Sequence, residues 1–153
     1  MNASRLTEPR VIDDLLFYRL WRLLASGGAD VSRLCEDSYG ITRREWRLLS
    51  LLAAGEGVLS SELAGRAHLD RARTSRAVSA LTDKRLVMRQ PCPGDARQVR
   101  LSLTQQGRAL YEALFPQVVA INQALLAGLS PAQVAWLDEI LDTLQARADG
   151  DSG

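Results

Sequence analysis

The stretch from Asp70 to Arg100 holds the side chains best suited to chemistry with a polyanion. It carries eight basic residues (Arg71, Arg73, Arg76, Lys84, Arg85, Arg89, Arg97, Arg100) against three acids (Asp70, Asp83, Asp95), a net charge of +5. The whole chain is only +1, so the remainder is −4. A positive block on a near-neutral protein suits a phosphate-binding surface, although a solvated helix face can have the same composition. Every basic residue except Lys84 is an arginine, whose planar fork can bind phosphate oxygens or a guanine edge in two places at once.

Other chemistries find little support. There is no glycine-rich phosphate loop and no nucleophile elbow, and His68 is the single histidine. The reading is therefore of a protein that is not an enzyme, with no cofactor and no metal site. Cys35 and Cys92 lack metal-ligand spacing, and a disulfide is not expected in a reducing compartment. A peroxide-sensing thiol needs a depressed pKa; both cysteines are read as bystanders.

The basic block has to be positioned by helices. Ile12, Leu15, Leu16, Leu20, Leu23 and Leu24 recur at helical spacing and predict a first helix from about Pro9, with a kink or short break at Gly27-Gly28 and a stop at Gly40. Thr42 with Glu45 three residues on is a capping box for a second helix, which Gly55 ends. Ser60 or Ser61 is expected to cap a short third helix, Glu62 to Ala67, and Asp70 a fourth reaching about Lys84. On that fourth helix Thr74, Ala77, Val78 and Leu81 share one face. Arg73, Arg76, Ser79 and Ala80 share the other, with Arg71, Ala72 and Ser75 at its start. Ala72 and Ser75 are small enough to let the backbone approach a ligand closely.

The period then changes. Residues 86–90 and 99–103 read as two strands around a Pro93-Gly94-Asp95 tip. Thr104 caps a helix that contains Pro116, and Ser130-Pro131 opens a last one, in which Val134, Leu137, Leu141 and Leu144 form a pairing seam. The tail from Asp149 is expected to fray. The fold class is thus mainly α, an α+β winged helix-turn-helix in the order α-α-α-α-β-β-α-α. The expected divisions are an N-terminal dimerisation helix (1–40), a reading lobe (41–104) and C-terminal dimerisation helices (105–153). The terminal helices are too apolar for so small a lobe to cover, which predicts a homodimer.

With 46% hydrophobic and 24% charged residues, the composition is that of an ordinary globular protein. No apolar run approaches a membrane span, and Met1 to Arg10 lack a signal-like core, so a cytoplasmic location is expected.

The sequence resembles the MarR (multiple-antibiotic-resistance regulator) family of bacterial transcription regulators. The resemblance is carried by Gly40-Ile41-Thr42, Glu62-Leu63-Ala64, Leu81, Leu86-Val87, Arg89, Asp95-Ala96-Arg97 and Leu103-Thr104-Gln105-Gln106-Gly107. It departs at Arg85, where the family usually has glycine, so a slightly different turn is expected there; Gly27-Gly28 is also unusual. The resemblance implies a homodimeric repressor on double-stranded DNA, released from a pseudo-palindromic operator by a small effector. Ser60, Ser61, Arg71, Arg73, Ser75, Arg76 and Arg97 become the expected DNA contacts. Asp95 becomes a residue that holds Arg97 or Arg89 in place. The effectors implied are small and aromatic or acidic, with Trp21, Arg22, Arg43, Trp46 and Arg47 as pocket candidates; core packing explains the same residues equally well. The rival reading is a winged-helix module that docks a protein or RNA, which would not need a basic helix face.

Overall fold

The computed structural model describes residues 4–55 and 57–150. The N-terminal helix starts later than its apolar pattern suggests. Asp14 folds its carboxylate back onto the amides of Arg10 (3.0 Å) and Val11 (3.3 Å). This closes a 3₁₀ turn over Ile12–Asp14, with Leu15 extended behind it. Helix α1 therefore runs Leu16–Arg33. The same two amides, Arg10's above all, hold the Asp14 carboxyl below its ordinary range, with Arg5 and Arg19 adding to the pull.

No break interrupts the helix at Gly27-Gly28, and α1 is continuous through both glycines. Gly28 is buried because the Arg43 guanidinium lies against it; a Cβ there would sit 2.7 Å from that group's central carbon. The irregularity falls further on, in a π-helical turn over Leu34–Ser38. Gly40 then ends the segment with φ +64°, a left-handed conformation that favours glycine.

Helix α2 (Arg43–Ala53) opens on the predicted box, in which the Glu45 amide donates to Thr42 Oγ1 (3.1 Å) and the Thr42 amide to Glu45 Oε2 (3.0 Å). Strand β1 is only Val58–Leu59, too short to have left a period in the sequence. Helix α3 spans Ser60–Ala67 and α4 spans Arg71–Asp83. Neither Ser60 nor Ser61 is the cap of α3. Leu59 holds that position, and both serines already lie in the first turn.

The hairpin strands are longer than expected, β2 running Val87–Cys92 and β3 Asp95–Leu103. The sheet order is β1-β3-β2, all antiparallel, with Val58 opposite Leu101 and Val87 opposite Leu103. Arg85 bears the positive φ (+58°) of the turn before β2. The turn thus keeps its left-handed form, at a cost of about 1 kcal/mol relative to glycine. Its carbonyl accepts Thr104 Oγ1 at 2.6 Å.

Helix α5 (Gln105–Leu126) follows, capped by Thr104 Oγ1 through the Gly107 amide (3.0 Å), and contains Pro116. Packing divides the chain after Val118. In the first unit, Leu48, Leu49, Leu52, Leu63, Leu81, Leu101 and Leu114 are fully buried and join α2, α3, α4, the sheet and the start of α5 into one core. Trp46 stacks on Tyr111, centroids 5.7 Å apart. On α1, Leu20, Leu23, Leu24, Trp21 and Phe17 stay exposed, Phe17 by 81%.

The second unit holds the end of α5 and α6 (Pro131–Gly150). Ser130 and Gln133 cap α6 reciprocally. No residue of α6 is buried, and Trp136, Leu137, Ile140, Leu141 and Leu144 are exposed. Asp149 and Gly150 are still helical, and the rest of the tail expected to fray lies outside the described residues. Among the described residues no single helix is long and apolar enough to cross a membrane.

Candidate nucleic-acid interface

Helix α4 owes its orientation to a tight turn and a cap. His68 closes α3 in the left-handed conformation (φ +50°), and Leu69 donates back to the Ala64 carbonyl at 3.1 Å. Asp70 then accepts the Arg73 amide at 2.7 Å, fixing where α4 begins. Thr74, Ala77, Val78 and Leu81 are buried, which commits the opposite side to solvent. Arg71, Arg73, Ser75 and Arg76 are all exposed, with Arg73 and Arg76 facing away from the buried stripe and Arg71 lying beside α3 at the start of the helix. Arg73 is partly held by Asp70, Nε to Oδ2 3.2 Å. Among the described residues, Arg71, Arg76 and Arg97 make no ion pair. Three uncompensated guanidinium groups on an exposed surface leave a field of one sign, which draws in a polyanion.

The structure brings most of the predicted contact residues together. Ser60, Ser61, Ser75, Arg89 and Arg97 line one open cleft of about 410 Å³ between α3, α4 and the hairpin. An adjoining depression of about 280 Å³ is lined by Ser60, Ser61, Arg71, Thr74 and Ser75. The first turn of α3 contributes backbone N–H groups that no residue within the helix can satisfy, a favourable seat for phosphate.

The hairpin tip is shaped by Gly94 (φ +85°) and by Asp95, whose carboxylate accepts the Arg97 amide at 3.0 Å. Asp95 thus holds the backbone of Arg97 and leaves its guanidinium free of that carboxylate. Arg89 is occupied elsewhere, donating to Ser79 Oγ at 3.0 Å and strapping β2 to α4. The role of Ser79 was not legible in the sequence, because it depends on where the hairpin folds back. Arg100 was likewise only part of the charge count. It donates to the Gly57 carbonyl at 2.8 Å and ties β3 to the loop before β1.

The second group of candidates is only partly assembled. Arg43, Trp46 and Arg47 line an open cleft of about 400 Å³ with Val31, Ser50, Leu51 and Val118. Trp21 instead stacks on Tyr18, centroids 5.6 Å apart. Arg22 pairs with Asp13 at 2.6 Å and lines a different depression with Arg5 and Arg19. Cys35 is wholly buried, and burial pushes its thiol up against the opposing pull of Arg43. Among the described residues no group of metal-binding side chains comes together.

Comparison with known proteins fits this geometry. Residues 39–98 match the model of the MarR family. The HTH-type transcriptional regulator FarR of Neisseria gonorrhoeae is 30% identical, the match covering 68% of this chain and 71% of FarR. The homoprotocatechuate degradative operon repressor of Escherichia coli is 25% identical, covering 68% of this chain and 70% of the repressor. A third relative, the regulator YdgJ of Bacillus subtilis, is 28% identical over 69% of this chain, and the chain spans 65% of its length. Among solved structures, BpsR of Bordetella bronchiseptica superposes with a TM-score of 0.79 at 22% identity, covering 90% of this chain and 97% of that one. With a winged helix-turn-helix whose fourth helix and wing tip present unpaired arginines, this chain belongs to the MarR family of transcriptional regulators.

Proposed function

We propose that the chain is a sequence-specific repressor that grips duplex DNA as a homodimer and lets go when a small aromatic or acidic molecule binds. The observation that carries the DNA reading is the exposed row of Arg71, Arg73 and Arg76, flanked by the α3 N-terminus and by Arg97 at the wing tip. In this reading α4 enters the major groove, Ser60 and Ser61 seat a phosphate, and Arg97 reaches the minor groove, where narrow A·T-rich stretches concentrate negative potential. Asp95 and Arg89 support the wing.

Residues 41–104 would be the reading lobe, with 1–40 and 105–153 supplying the dimer. The exposed apolar residues of α1 and α6 support that division, since a monomer rarely leaves so many large side chains in water. The repressor role is supported by the name of the E. coli relative. Effector release is supported by BpsR, whose DNA binding is regulated by 6-hydroxynicotinic acid, and by the cleft beside Arg43, Trp46 and Arg47.

The test is titration of a short random-sequence duplex at low salt. The reading predicts binding that weakens on the order of 10³-fold between 50 and 200 mM salt, as arginines displace condensed counterions. Absence of salt-sensitive binding would transfer the lobe to a protein- or RNA-docking role.

A further inference from the structure

Glu45 is a buried carboxylate, with a side chain only 7% exposed. A capping-box glutamate has one task, to receive the amide at the helix start, and Glu45 performs it with Oε2. The same oxygen also accepts Lys84 Nζ at 2.7 Å. Lys84 Nζ donates in addition to the Gly40 carbonyl at 2.8 Å. One ammonium therefore joins three places, one of them 44 and 39 residues further along the chain than the other two. They are the left-handed residue where the N-terminal arm ends, the first turn of α2, and the C-cap of α4.

Lys84 is the only lysine in the chain, and the geometry suits a lysine. A compact point charge with three donors can satisfy two separate acceptors, whereas a guanidinium fork is built for the paired oxygens of one carboxylate or phosphate. Nor is Lys84 placed to touch DNA in the way the arginines are. The α4 axis rises about 1.5 Å per residue, so Lys84 lies about 12 Å along the helix from Arg76 and about 20 Å from Arg71. An influence on DNA through this link passes along α4.

We propose that Lys84 is a positioning residue for the DNA-reading helix: by pinning the C-terminal end of α4 to Glu45 and to the Gly40 carbonyl, it sets the angle of α4 from the point where the N-terminal arm enters the lobe. The proposal rests on the DNA-binding reading above and adds a route by which displacement of the arm reaches α4. That route runs through the Lys84–Gly40 hydrogen bond and the Lys84–Glu45 ion pair.

The test compares wild type with Lys84→Met, Glu45→Gln, the double variant and Lys84→Arg. Each is titrated with an operator duplex obtained by selection and with a random duplex of equal length, at a temperature where circular dichroism shows it folded. Lys84→Met and Glu45→Gln are each expected to weaken operator binding about tenfold and to leave random-duplex binding within about twofold. The double variant is expected to be no weaker than the worse single one, because both remove the same link. Lys84→Arg, which keeps a donor for Glu45 but whose fork is ill suited to reach the Gly40 carbonyl as well, recovers only part of the operator affinity.

Two results overturn the proposal. One is Lys84→Met weakening both duplexes alike, with a salt slope smaller by about one, while Glu45→Gln binds as wild type; Lys84 is then a phosphate contact. The other is unchanged operator binding in every folded variant, which leaves the link a purely structural one. If Lys84→Met does not fold, Glu45→Gln decides: wild-type operator affinity in it overturns the proposal. Failure of the wild type to bind either duplex is a separate outcome that removes the DNA-binding reading, and this proposal falls with it.

Discussion

Replacing Arg76 by alanine is expected to weaken binding to a selected operator duplex by about 1–3 kcal/mol, roughly 5- to 150-fold, without unfolding the protein. Arg76 is exposed, has no ion pair among the described residues, and sits on the side of α4 opposite its buried face. Alanine is the better helix former, so stability should hold. Arg73→Ala should weaken binding similarly. That variant also loses the exposed pair with Asp70, which contributes between nothing and about 1 kcal/mol. The Asp70 cap on the Arg73 amide survives, because it uses the backbone. Electrophoretic retardation and thermal melts on the same preparations check both halves of the expectation. Unchanged affinity in both variants would remove α4 from DNA contact.

Gly107→Ala should act on stability instead, lowering it by about 3 kcal/mol. The Leu-Thr-x-x-Gly stretch from Leu103 to Gly107 has a physical purpose that the structure makes plain. Thr104 caps α5 through the Gly107 amide and donates to the Arg85 carbonyl. The Thr104 amide donates to the Leu86 carbonyl at 3.1 Å. The start of α5 is thereby drawn onto the backbone of Leu86. A Cβ at Gly107 would overlap the Leu86 carbonyl oxygen and lie 2.9 Å from its carbon. Backbone cannot rotate aside as a side chain does, so the hairpin or the helix must move. The alanine's better helix propensity returns at most about 1 kcal/mol, and the clash wins. A melting temperature equal to wild type would show that this junction has slack.

Gly28 makes a useful contrast. There the three atoms nearest to the Cβ all belong to the end of the Arg43 side chain, which can swing away.

The parts of this fold that were legible in the sequence are those decided locally. The Thr42–Glu45 box, the Asp70 cap and the Ser130-Pro131 start are each written within one turn of helix, and each forms. The buried face of α4 follows from its period, and so does the exposure of its arginines. What escaped was decided at a distance. Gly27-Gly28 look like a helix breaker until Arg43 is brought to lie on Gly28. The stripe from Ile12 to Leu15 looks helical until Asp14 turns back onto two amides. Strand β1 has two residues and exists only because β3 offers it a partner. At the site, the serines of α3 and the arginines of α4 and the wing were legible by type. The Arg89–Ser79 strap and the Lys84 bridge were not, since each joins elements that sequence alone cannot place side by side.

Selection of bound fragments from random-sequence DNA tests the central claim most directly. A pair of α4 helices reading one face of B-DNA predicts enrichment of a pseudo-palindrome with half-site centres about 10 base pairs, or about 34 Å, apart. Recovery of no common sequence, or of single half-sites occupied by one chain each, would contradict it.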